Sequence, residues 1–221
     1  MTFSSCLTEE DSALVLDSSV VINLLATGRA SSIMQALSMP IVVTDNVVRE
    51  IEQGAVRERP EVDLLREMIG DQTLRVAEVD GPALQIFFDL VSGSASESLG
   101  DGEAATLAFA YSNGCSAAID EKKATKLSVD RFISLRLVTT IDILAHDAVQ
   151  STLGRTALAE AAFQALRLAR MQVREHQFDW VHDLIGAENV AASTSLRRLA
   201  NRRKGLVRGH SGIRVLLNPT E

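Results

Sequence analysis

Short apolar runs alternate with amphipathic stretches along the first two thirds of the chain, and several of the runs end in an acid. Residues 13–17 (Ala-Leu-Val-Leu-Asp) form the first; Ser18 and Ser19 follow as a polar turn, and Val20 to Leu25 reads as a helix closed by Gly28. Residues 40–45 repeat the pattern, ending at Asp45 ahead of a helix that opens at Asn46. Further strands are predicted over 73–79, 116–120 and 135–140, and further helices over 61–70, 82–91, 102–112 and 121–129. Ser92 to Gly102 is rich in Ser and Gly and reads as a loop, with Asp101 placed to cap the helix that follows. Strands and helices in this order predict an α/β fold, a three-layer α/β/α sandwich with a central parallel sheet. Ligands of such sheets bind at the carboxyl ends of the strands. Beyond Ile141 the pattern is helical alone, over 141–152, 156–174, 178–186 and 193–204. The expected organisation is therefore a domain over 12–150 and a helical C-terminal extension over 151–221.

Composition narrows the class. Aromatic residues make up only 4% of the 221-residue chain, which disfavours a β-sandwich or a base-stacking sheet and suits an Ala/Leu/Val core. No apolar stretch approaches eighteen residues, and the N-terminal MTFSSCLTEEDSA has no basic region or apolar core, so the expectation is a cytoplasmic protein with no membrane partner. Cys6 and Cys115 are too few for a disulfide framework or a zinc site and read as free thiols. The net charge of −7 is unevenly spread: residues 193–221 carry seven Arg or Lys against Glu221, a balance of +6, which leaves −13 for residues 1–192. An acidic body with a basic arm suggests a nucleic acid or an acidic partner.

Asp17 and Asp120 each end a predicted strand, so they belong to one edge of the sheet. Glu50 lies one turn into its helix, and because helical side chains lean toward the N-terminus its carboxylate can reach back over that edge. Glu103 sits in the first turn of its own helix. Two carboxylates about 6 Å apart repel by roughly 3 kcal/mol at an effective dielectric of about 20. A positive group should therefore sit among them, and all-oxygen ligands suit a hard divalent ion such as Mg²⁺ or Mn²⁺. Such an ion activates water and stabilises charge on a phosphodiester. Each acid also has a plainer reading: Asp17 and Asp120 as strand ends, Glu103 as a partner of the helix dipole, Glu50 as a surface residue. Asp45, Asp101, Glu121 and Asp142 read as caps or surface groups. His146-Asp147 and His182-Asp183 look like metal-ligand pairs without the remaining ligands.

The stretches Leu14-Val15-Leu16-Asp17-Ser18-Ser19-Val20-Val21-Ile22, Thr44-Asp45-Asn46-Val47-Val48-Arg49-Glu50, Leu99-Gly100-Asp101-Gly102-Glu103-Ala104-Ala105 and Ala118-Ile119-Asp120-Glu121-Lys122-Lys123-Ala124 together resemble the PIN-domain nucleases, especially the toxin-like PIN proteins of prokaryotes. The resemblance covers about residues 12–150. It implies a Mg²⁺- or Mn²⁺-dependent endoribonuclease, acids at Asp17, Glu50, Glu103 and Asp120, and Ser19 as the polar residue beside the first acid. Asp101 is a rival for the third acid, since compact toxins often place Asp there. RNA is the implied substrate, with an antitoxin protein and a second copy of the chain as possible partners. The tail beyond residue 150 exceeds the compact pattern.

Other enzymes fit less well. A haloacid-dehalogenase-type phosphatase needs a second Asp where this chain has Ser19, and no phosphate loop ending in Gly-Lys-Ser/Thr is present. The competing class is a PIN-like module without catalysis, holding nucleic acid or a protein partner. Its natural handle is the basic arm, where Arg197, Arg198, Arg202, Arg203 and Lys204 share a predicted helix with Leu196 and Leu199. Spacings of three and four let Leu196, Leu199 and Arg203 share a docked side while the other basic residues face outward to RNA, or the segment is a solvated tail.

Overall fold

All five predicted apolar runs pair into one sheet. In this computed structural model, which describes residues 3–8, 10–54, 60–93, 98–193 and 196–203, the strands are β1 (Leu14–Leu16), β2 (Ile41–Thr44), β3 (Arg75–Ala77), β4 (Ser116–Ala118) and β5 (Leu137–Val138). Every pairing is parallel, and the spatial order is β3-β2-β1-β4-β5. Every residue of β1, β2 and β4 is buried, which is why these strands read as continuous apolar runs. Successive side chains still alternate: Val15, Val42 and Ala117 face one apolar cluster, and Leu14, Leu16, Ile41 and Val43 face the other.

One face is covered by α5 (Gly81–Val91), α6 (Asp101–Ser112) and α7 (Lys122–Arg131), which supply Leu90, Leu107 and Ala124 to that cluster. The opposite face receives α1 (Ser18–Ala26), α2 (Ala30–Ala36), α3 (Asp45–Gly54) and α4 (Pro60–Gly70). The helices after β5 cover the same face. They are α8 (Thr140–Leu144), α9 (Asp147–Gln164), a π-helical turn (Ala165–Ala169), a short 3-10 turn (Glu175–Gln177), α10 (Phe178–Ala192) and α11 (residues 196–203). Leu158, Leu166, Phe178, Val181 and Leu196 share one apolar cluster with Leu14 and Leu16.

Several local expectations are corrected. Ser18 and Ser19 are the first residues of α1 rather than a turn, because the Asp17 carboxylate accepts the Ser19 N–H and caps the helix. Asp45 opens α3 instead of closing β2, and α6 is capped at Gly100 with Asp101 already helical. The α2 helix was not predicted; its seven residues are short and Ser-containing, and Ile33 and Met34 form it by burial. The predicted 141–152 helix divides at His146, whose Nδ1 accepts the Ala148 N–H at 3.3 Å and starts α9. The predicted break between 152 and 156 falls at Gly154, whose φ of 69° only glycine adopts freely. The predicted 156–174 helix stops short, because Arg170 takes the left-handed conformation after the π-helical turn. Among the described residues no helix is long and apolar enough to cross a membrane.

Candidate active site

The sheet order reverses between β1 and β4, and the crevice outside the carboxyl ends of those two strands is where an open parallel sheet binds ligands. Asp17 and Asp120 leave the sheet there. The Asp17 N–H extends the ladder by donating to the Ala118 carbonyl at 3.1 Å. The Asp17 carboxylate is only 3% exposed and accepts the Ser19 hydroxyl at 2.7 Å and its N–H at 3.2 Å. Burial raises its pKa above the ordinary carboxylate range; the Ser19 bonds oppose the shift and the charge of Glu50 adds to it.

Glu50 reaches this edge from one turn inside α3. The Ser18 hydroxyl donates to its Oε2 at 2.6 Å. Gly102 of α6 backs the same oxygen: a Cβ at that position would lie 2.1 Å from Glu50 Oε2 and 2.8 Å from Ser18 Oγ. The missing Cβ of Gly102 therefore leaves room for the Glu50 carboxylate in this position between α6 and α3. Glu103, half-buried, accepts the Gly100 N–H at 3.2 Å and so also completes the cap of α6. Its pKa is raised by burial first and by the Asp17 charge second, with smaller contributions from Glu121 and Glu50. Asp101 is exposed, so Glu103 is the α6 acid that senses Asp17.

Asp120 is held differently. Its Oδ1 accepts the Thr140 N–H at 2.9 Å, while Oδ2 accepts the Thr140 hydroxyl at 2.5 Å and the Asn23 amide at 2.7 Å. Burial raises its pKa, and the Thr140 and Asn23 bonds and the Arg174 charge pull it down. Arg174, from the extension, is anchored by donating to Thr125 Oγ1 at 2.9 Å and to the Ile119 carbonyl at 3.4 Å.

Thus Ser18, Asn23, Gly102, Thr140 and Arg174 are site residues that the sequence reading missed. Asn23 carried a signal, since it interrupts the apolar stripe Val20, Val21, Leu24 and Leu25 of α1. Thr140 and Arg174 carried none, because their roles depend on contacts across 20 and 55 residues of sequence.

The four acids offer oxygen alone, and burial disfavours the charge on three of them, which is the donor chemistry a hard divalent ion compensates. Among the described residues no three His, Cys, Asp or Glu side chains are already grouped to hold one ion. Glu50 and Glu103 are instead spent on Ser18 and Gly100.

The basic arm is docked. Leu196 and Leu199 are buried, and Arg203 forms a paired contact with Asp179 at 2.7 and 2.9 Å and lies 5.0 Å from the Phe178 ring centre. Arg197, Arg198 and Arg202 face outward; Lys204 lies outside the described residues.

A family model described as a PIN domain matches residues 13–186, a span that runs through the sheet, all four acids, Thr140 and Arg174. No curated protein matches the chain.

Proposed function

The chain belongs to the PIN-domain family, and on that premise we propose that it is a metal-dependent endoribonuclease. The observation that carries this reading is that buried Asp17 and Asp120 follow the adjacent strands β1 and β4 at the switch point, where the Glu50 charge raises the pKa of Asp17 and the Asp17 charge raises that of Glu103. A module that only bound RNA would gain nothing from negative charge where phosphates lie.

Asp17, Glu50, Glu103 and Asp120 would hold one or two Mg²⁺ or Mn²⁺ ions, which supply an activated water and charge stabilisation on the phosphodiester. The chain's own contribution is orientation. Thr140 and Asn23 fix both oxygens of Asp120, Ser19 fixes one oxygen of Asp17, and Ser18 steadies Glu50. Ser19 serves the reaction by aligning the first acid. The family resemblance implies that water attacks with the 3′ oxygen leaving, so that the products carry a 5′-phosphate and a 3′-hydroxyl. The wider reading, a toxin restrained by an antitoxin protein and assembled as a homodimer, rests on the family resemblance; co-purification with a neighbouring gene product and light scattering check it.

Asp17→Asn tests the reaction. Metal-dependent RNA cleavage should fall about 10³-fold or more, in keeping with loss of a group that places an essential ion. Cleavage at the wild-type rate, or products ending in a 2′,3′-cyclic phosphate, would overturn the mechanism. RNA binding with no metal-dependent cleavage by the wild type would return the chain to the class of binding modules.

A further inference from the structure

The π-helical turn Ala165–Ala169 separates two cavities. Leu168 and Ala169 help line an apolar cavity of about 280 Å³ that opens beside Ser18 and Glu50, with Ile22 and Val62 on its other walls. Arg167 and Arg170 line a second cavity of about 500 Å³, where they meet Arg198 of α11, with Phe163 and Leu166 as the apolar wall. Three arginines, each exposed, thus line one hollow, and among the described residues no carboxylate lines it. This occurs in a chain whose net charge is −7. Among the described residues, the ion pairs of the protein engage Arg49, Arg66, Arg136 and Arg203 instead. Arg167 is steadied by donating to Gln164 Oε1 at 3.1 Å.

We infer that this arginine cavity binds backbone phosphates of single-stranded RNA flanking the bond at the acids. The assignment to RNA rests on the nuclease reading above. An arginine fork stays charged at all working pH values and matches phosphate oxygens in pairs. A helical turn with its side chains is about 10–12 Å across, so a strand leaving the acids past Leu168 reaches the arginines within a short stretch. The acidic edge repels an approaching backbone, and cations set one turn away supply the attraction that it lacks. Partly buried Phe163 adds a flat apolar surface beside the charges, the combination used by single-strand grooves. An acidic protein segment would also suit three arginines. RNA is favoured because the same turn borders the acids on its other side.

The test uses the full chain in an Asp17→Asn background, so that labelled RNA is bound and not cut. Replacing Arg167, Arg170 and Arg198 together by Gln should weaken binding at least about 10-fold. The slope of log affinity against log salt should flatten by about 2, at about 0.7 per lost phosphate contact. A control variant with Arg66→Gln and Arg131→Gln, exposed residues that do not line the cavity, should change affinity less than about 3-fold. Mn²⁺-dependent hydrolysis of a minimal diester, bis(p-nitrophenyl) phosphate, is measured for both variants with Asp17 restored and should equal wild type. Unchanged RNA affinity and slope in the triple variant would overturn the inference, whether or not the wild type cleaves RNA. A triple variant that loses polyglutamate binding and keeps RNA binding would overturn it too, and reassign the cavity to an acidic partner. If the wild type shows no metal-dependent cleavage while the triple variant still loses RNA, the nuclease reading falls and the cavity stands as an RNA site.

Discussion

The two flanks of the β1–β4 seam hold negative charge by opposite means. On the Asp17 flank the Glu50 charge raises the pKa of Asp17, the charges of Asp17 and Glu50 raise that of Glu103, and the main protein donors are Ser18, Ser19 and the Gly100 N–H. On the Asp120 flank a single carboxylate is enclosed by Thr140 and Asn23, with the Arg174 charge nearby. The difference separates a carboxylate whose two oxygens three protein donors orient from a flank whose carboxylate charges act on one another. On the proposed reading, Asp120 would be oriented before an ion binds, whereas an ion would relieve the charges that bear on Asp17 and Glu103.

Gly102→Ala is the sharpest way to break the contrast, because it touches the crowded flank alone. The added Cβ must displace the end of Glu50, which is flexible enough for the fold to survive. A displacement of about 1 Å at a catalytic group costs about 10²-fold, so cleavage should drop by that order while the melting temperature stays near wild type. Unaltered cleavage would remove Glu50 from the site.

Thr140→Val acts on the satisfied flank. It deletes the hydroxyl donated to Asp120 Oδ2 and keeps the backbone bond and the shape. A hydrogen bond to a charged, buried acceptor contributes about 1.5–3 kcal/mol, so stability should fall by that amount in thermal unfolding. Cleavage should fall about tenfold. The lost bond held the Asp120 pKa down, so the acid limb of the pH–rate profile should move to higher pH. A variant as stable as wild type would show that Asn23 and the backbone suffice.

The smallest effect has the opposite sign. Burial raises the folded-state pKa of Asp17 above its ordinary 3.8, so the native state holds more protons than the unfolded state in that window. Stability from this group therefore declines as pH rises from 3.8 through the raised value, and the full penalty is present above it. Asp17→Asn removes the penalty and retains an oxygen for Ser19. In EDTA above neutral pH it should gain on the order of 1 kcal/mol, about 2–4 °C, with the gain closing as pH falls toward 3.8. A variant less stable than wild type throughout would mean that the Asp17 flank is satisfied without an ion.

The sheet was legible in sequence because its central strands are buried on both faces and leave uninterrupted apolar runs. Asp17 and Asp120 were legible for the same reason: an acid that follows such a run stands at a known edge. The donors around Asp120 were not. Asn23 meets it across 97 residues and Thr140 across 20, so no local pattern records either bond. The docking of α11 was readable from the spacing of Leu196 and Leu199, whereas the cavity that gathers Arg198 with Arg167 and Arg170 depends on where a π-helical turn ends. Helical periodicity predicted an unbroken helix through that point.

The shared apolar cluster also sets a timetable for the newly made chain. Leu14 and Leu16 find Leu158, Leu166, Phe178 and Leu196 as cluster neighbours, and these are synthesised after every strand of the sheet. At about 5–20 residues per second, the residues after 150 take several seconds or more to follow the sheet off the ribosome. Until then α1 to α4 cover that face without the apolar residues of the later helices, and the Arg174 charge is absent from beside Asp120. The nascent protein therefore carries its acids without their completed setting until residue 174 has been made and folded back.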